Sequence, residues 1–137
     1  MANNVDVTGL GSSNLLLDTN ILIYHLKAVL PPELKASLAL AVSTQRAHVS
    51  VITRMEMLAW RGHNELSLNQ THGLLQLTKE LSLVEPVVQE AIRLRKQFGL
   101  KLPDAVIAAT AVVHLCTLVT GNGADFERVS GLNLLRI

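Results

Sequence analysis

Cysteine is almost missing from this chain: Cys116 is the only one among 137 residues. An internal disulfide framework is excluded, and a reducing compartment, the cytoplasm, is expected. Aromatic residues are scarce as well, at 3%, so any core has to be built from Leu, Val, Ile and Ala. The N-terminus lacks the basic, apolar, small-residue signature of a signal peptide. No uninterrupted apolar run is long enough for a bilayer: the stretch 102–120 holds Pro103, Asp104 and His114 and reads as a buried helix followed by a strand. An excess of charge of one sign is lacking too. Twelve Lys and Arg against 11 Asp and Glu leave a net charge of +1, which names no partner. Neither an internal repeat nor a linker divides the chain.

What is present is apolar content, 49% of the residues, enough for one ordered domain with a real core. Residues 1–13 are polar, contain Gly and Ser, and lack any period, so they are expected to form a flexible leader before a single domain over 14–137. The domain opens on Leu15-Leu16-Leu17, a short strand buried on both faces, as in the middle of a parallel sheet. Asp18 arrives at its end, followed by Thr19 and Asn20, which favour helix starts, and by an apolar run. Helices are expected near 20–27, 33–46, 52–60 and 67–80, with strands at 47–50 and 81–84. Pro86 opens the clearest helix: Val87, Ala91, Leu94 and Phe98 recur on one face and Gly99 stops it. Pro103 and Asp104 start the next helix, 117–120 and 132–137 are strands, and 120–126 is a turn. Strands alternating with helices, without a hairpin signature, imply a parallel sheet covered on both faces.

Four carboxylates stand out by position: Asp18, Glu56, Asp104 and Asp125, each at a strand end or near a helix start. Gathered in one cleft, they would repel one another unless a cation compensates, and all-oxygen ligation suits Mg²⁺ or Mn²⁺ over zinc. With four acids committed to such a site the remaining surface is basic, compatible with a polyanionic substrate. The alternative is plain: a lone Asp after a strand caps a helix, and a lone Glu on a helix faces water. Position and spacing leave both readings open.

The short motifs Leu16-Leu17-Asp18-Thr19-Asn20, Ser50-Val51-Ile52-Thr53 leading to Glu56-Met57-Leu58-Ala59, Leu102-Pro103-Asp104-Ala105-Val106-Ile107-Ala108-Ala109-Thr110-Ala111, and Val119-Thr120-Gly121-Asn122-Gly123-Ala124-Asp125-Phe126 follow one another in order. In this arrangement the chain resembles a PIN domain of the VapC-like toxin branch, over nearly all of 14–137. The resemblance implies an α/β fold, a three-layer α/β/α sandwich around a parallel sheet of about five strands. It implies a Mg²⁺- or Mn²⁺-dependent endoribonuclease that hydrolyses RNA with a metal-activated water, acting as the toxin of a type II toxin–antitoxin pair. The implied metal-binding and catalytic acids are Asp18, Glu56, Asp104 and Asp125, supported by Asn20, Thr120 and Asn122. Implied partners are an RNA substrate, a cognate VapB-like antitoxin that lays a helix or tail into the acidic cleft, and a second copy of the chain in a homodimer.

One departure bears on activity. Where the family often has a basic or polar residue and then an acid after the Thr, this chain has Gly121 and Asn122. A catalytically weak PIN module that binds RNA or serves regulation is therefore the second reading, and a parallel α/β binding domain with the acids as caps the third. His25, His48, His63, His72 and His114 show no metal-ligand spacing, Ser12 and Ser13 no nucleophile elbow. Cys116 reads as a small buried hydrophobe. Trp60 could stack on a base, and Arg54, Arg61, Arg93, Arg95 and Lys96 could follow a phosphate backbone, but packing and solvated helix faces account for them as well.

Overall fold

In the computed structural model, which describes residues 1–137, Leu15, Leu16 and Leu17 are all buried in a central strand. Six strands are formed: β1 (Asn3–Asn4), β2 (Leu15–Leu17), β3 (Ala47–Ser50), β4 (Lys79–Leu81), β5 (Thr117–Thr120) and β6 (Asn133–Arg136). Six helices connect or flank them: α1 (Thr19–Leu26), α2 (Pro32–Ser43), α3 (Val51–Leu58), α4 (Glu65–Gln76), α5 (Glu85–Phe98) and α6 (Leu102–Val113). Every strand pair is parallel, in the order β1-β6-β5-β2-β3-β4. The α/β class with a parallel sheet is as the sequence implies, with six strands where about five were expected.

Strand pleating explains why three leucines in a row are needed. Successive side chains point to opposite faces, so Leu16 joins Leu118 and Leu134 in a core of 18 buried residues with α5 and α6. Leu15 and Leu17 join Val119 and Leu135 in a second core of 13, with α1 and α2. Helix α5 buries Val87, Ala91 and Leu94, carries Pro86 in its first turn, and ends at Gly99 with φ of 67°, the left-handed region in which a glycine meets no Cβ penalty. Helix α6 contributes Ala105, Ala108, Ala109 and Ala111, all fully buried, so it lies close to both α5 and the sheet. No helix is long and apolar enough to cross a membrane.

Two expectations need correction. Residues 1–13 are not a loose leader: Asn3 and Val5 donate backbone hydrogen bonds to Leu132 and Leu134 at 2.7 and 2.8 Å, while Ala2 and Leu10 are buried. Backbone pairing with the edge of β6 supplies what the polar side chains do not. The strand expected at 81–84 is β4 at Lys79–Leu81 instead, because its register is set by pairing His48 with Lys79 and Ser50 with Leu81.

The chain order reverses at β2. From it β3 and β4 build outward on one side, and β5, β6 and β1 on the other. At such a point the connections leave in opposite directions and open a crevice beyond the carboxyl ends of the strands. Asp18 follows β2 directly, and Thr120 ends β5.

Candidate active site

Asp18 is the N-cap of α1, and its backbone N–H still belongs to the sheet, donating to Val119 at 3.0 Å. Its side chain is 6% exposed and held from three directions. Oδ1 accepts the Thr19 backbone N–H at 2.8 Å; Oδ2 accepts the Thr120 hydroxyl at 2.7 Å and the Asn20 amide at 3.2 Å. A carboxylate has about four acceptor positions, so Asp18 is fixed in orientation and keeps capacity for one more partner. Thr120, fully buried, accepts in turn from the Asn122 backbone N–H at 2.9 Å. Asn20 spans the gap between β2 and β5, with its Oδ1 accepting from the Gly121 backbone N–H at 2.8 Å.

The other acids are tied to this frame. Glu56 lies on α3, which Ser50 caps by accepting from Ile52 and Thr53; its Oε1 accepts the Thr19 hydroxyl at 2.7 Å. Asp125, in a short 3₁₀ turn after β5, accepts from the Asn122 side-chain amide. Glu56, Asp18 and Asp125 are thus joined through Thr19, Thr120 and Asn122. Asp104 stands apart. It lies in the first turn of α6, where the helix dipole favours a negative charge. Burial, and then the charges of Asp18, Asp125 and Glu56, nevertheless push its carboxyl above the ordinary value of 3.8, with Lys101 pulling the other way.

Four acids from four separate elements therefore share one field. No three acidic, histidine or cysteine side chains are closed up to metal-ligating geometry. The donor chemistry fits a hard divalent cation all the same: the available oxygens are carboxylates, no hydrogen bond contributes to the position of Asp104, and a cation would relieve the repulsion it carries.

A family model for the PIN domain matches residues 15–132. This chain belongs to the PIN domain family. Its fold is shared with solved toxin–antitoxin structures. A toxin–antitoxin complex from Klebsiella pneumoniae is 31% identical, with 86% of this chain and 94% of that one covered at a TM-score of 0.67. VapBC of Salmonella typhimurium bound to DNA is 23% identical and covers 90% and 98%, with a TM-score of 0.80. VapBC-1 of nontypeable Haemophilus influenzae is 26% identical and covers 88% and 95%, with a TM-score of 0.69. Among curated proteins none matches by sequence.

In this PIN domain Gly121 has a local reason: a Cβ there would meet the Tyr24 ring at 2.7 Å, so the aromatic ring takes the space a larger side chain would need. Sequence reasoning passed over two residues. Thr19 looked like a helix starter, yet its hydroxyl holds Glu56 and lies 3.1 Å from that of Thr53. Tyr24 looked like part of an apolar run. The only available signal was its position one helical turn after Asn20. Of the candidate phosphate contacts, Arg54 pairs with Glu80 and Arg93 with Glu90 and Gln97.

Proposed function

We propose that this PIN domain is a Mg²⁺- or Mn²⁺-dependent endoribonuclease and the toxin of a type II toxin–antitoxin pair, acting in the cytoplasm. The observation that carries the reading is the hydrogen-bonded frame that ties Asp18, Glu56 and Asp125 together through Thr19, Thr120 and Asn122, with Asp104 near enough for the charges of all three to act on it. Asp18 and Asp104 would hold the essential ion, with Asp125 completing the site and Glu56 holding a second ion or orienting a water. When bound, the ion supplies Lewis-acid polarisation of the phosphate and a more acidic water.

The chain's own residues do the positioning. Thr120 and Asn20 fix the orientation of the Asp18 carboxylate by donating to its Oδ2. Thr19 points Glu56 into the crevice, and Asn122 holds Asp125 while its own Oδ1 remains a neutral oxygen donor. No side-chain nucleophile is required.

The neighbours' composition as toxin–antitoxin complexes supports a VapB-like antitoxin as partner. An antitoxin Arg presented to the four carboxylates would satisfy the same field as a cation. A homodimer is part of this proposal. Gly121, covered by Tyr24, favours the second reading, a weakly catalytic PIN module that binds RNA, because it offers no phosphate contact at that position.

The test is incubation of total cellular RNA with antitoxin-free protein in Mg²⁺, in Mn²⁺ and in EDTA, with folded Asp18→Asn alongside. Discrete metal-dependent fragments missing from the variant are expected. Intact RNA from protein that binds Mn²⁺ would leave the weakly catalytic module.

A further inference from the structure

A groove of about 410 Å³ that includes Glu56 is walled by Ile23 and Leu26 of α1, Lys27 just after it, Met57 of α3, Trp60, and Gln70 of α4. Its size is that of a small-molecule site. Glu56 also belongs to the acid cluster.

The Trp60 ring, part of the groove's lining, packs on its own neighbours in the chain. The Gly62 backbone lies against the indole so closely that a Cβ would fall 2.4 Å from Cζ2. His63 meets it edge-on, ring centroids 5.1 Å apart and planes at 81°. That imidazole is itself anchored at both nitrogens, to Ser67 at 2.9 Å and to the Met57 carbonyl at 2.8 Å. Backed in this way, Trp60 is still 61% exposed. An aromatic ring held from one side and open on the other costs little ordering when a flat partner stacks on it. Lys27 adds a cation to the lining.

We propose that this groove is a nucleobase subsite, in which an unpaired base next to the scissile phosphate stacks on Trp60 while Lys27 meets the adjoining backbone phosphate. The inference rests on the ribonuclease reading and adds one contact to it: a base stacked on Trp60, which has to be unpaired because a paired base has no free face to offer. Glu56 links the groove to the acid cluster, and the exposed Trp60 ring, with Lys27 as the groove's only Lys or Arg, commits the proposal to RNA, with an apolar peptide as the outcome that would displace it.

Trp60 is the only tryptophan, so its emission reports the groove directly. The probe is a 12-nucleotide single-stranded RNA, with the same sequence as a duplex for comparison, added to the full chain in EDTA and to Asp104→Asn in Mg²⁺. Quenching by the single strand and not by the duplex is expected. By anisotropy of a labelled strand, Trp60→Leu should bind about 10-fold more weakly and Trp60→Phe within about 2-fold of wild type. Unmoved emission together with unchanged binding by Trp60→Leu would overturn the subsite, and a shift produced only by a protein partner would give the groove to that partner. The two readings separate cleanly. Cleavage indifferent to Trp60→Leu sinks the subsite and leaves the nuclease, whereas stacking without cleavage by wild type in Mg²⁺ or Mn²⁺ supports the subsite and sinks the nuclease.

Discussion

The two ends of this parallel sheet treat buried polar groups in opposite ways. Beyond the carboxyl ends of the strands, Asp18, Thr120, Asn20 and Asn122 satisfy one another with hydrogen bonds, yet four acids share a crevice in which Lys101 is the cation that acts on Asp104. Toward the amino ends, His48 Nδ1 and His114 Nε2 are buried with no hydrogen-bond partner. Here charge is avoided: burial, then Lys79, holds the His48 imidazole below its ordinary range, and burial pushes the Cys116 thiol up to about 11. One end discards charge and keeps its orphans. The other satisfies its polar groups with hydrogen bonds but sets four acids within reach of one another's charge. Only the second arrangement needs a cation, and that difference points to where function lies.

Removing charge from the acidic end should have the largest effect. Asp104→Asn is expected to lower RNA cleavage by more than about 100-fold, beyond the usual cost of losing an outer-shell partner, while raising the metal-free melting temperature by a few degrees at neutral pH. The sign follows from the raised carboxyl. Its protonated form is favoured by folding, so the stabilisation is full below the ordinary value of 3.8 and is lost as pH rises through the raised value. The gain from Asp104→Asn should therefore fade in acid, as melting curves across pH will show.

Leu16→Ala lies between the two ends, fully buried against α5 and α6, and should cost about 2–5 kcal/mol in denaturant unfolding. Thr120→Val keeps the shape but takes a donor from Asp18 and an acceptor from Asn122. A cleavage loss of roughly 10–100-fold is expected, measured by single-turnover kinetics. The smallest effect belongs to the neutral end. A histidine held below its ordinary range stabilises fully above 6.5 and loses that contribution as pH falls. His48→Leu should be near neutral at pH 7.5 and more stable than wild type at pH 5, checked by thermal melts at both.

The sequence made the apolar frame legible and the polar one only in part. Helix α5 could be read from its period because its buried face is continuous, and β2 because both of its faces are covered. Strand β1 could not, since Asn3 and Asn4 join the sheet through backbone hydrogen bonds that no side-chain pattern encodes. Strand β4 slid by two residues because a short edge strand with no buried residue has no alternation to mark it. The four acids were visible as positions, but their shared field depends on the sheet's switch point. The role of Thr19 was hidden altogether, because its partner Glu56 comes from another helix.

The most direct measurement is the melting temperature of the full chain titrated with Mn²⁺, beside Asp18→Asn and Asp104→Asn. A ligand that binds only the folded state stabilises it by mass action, about 2.7 kcal/mol at a hundred times its Kd. One divalent site shared by the four carboxylates predicts a saturating rise for wild type that both variants lose. Equal melting temperatures in Mn²⁺ and EDTA, or a rise that both variants retain, would contradict it.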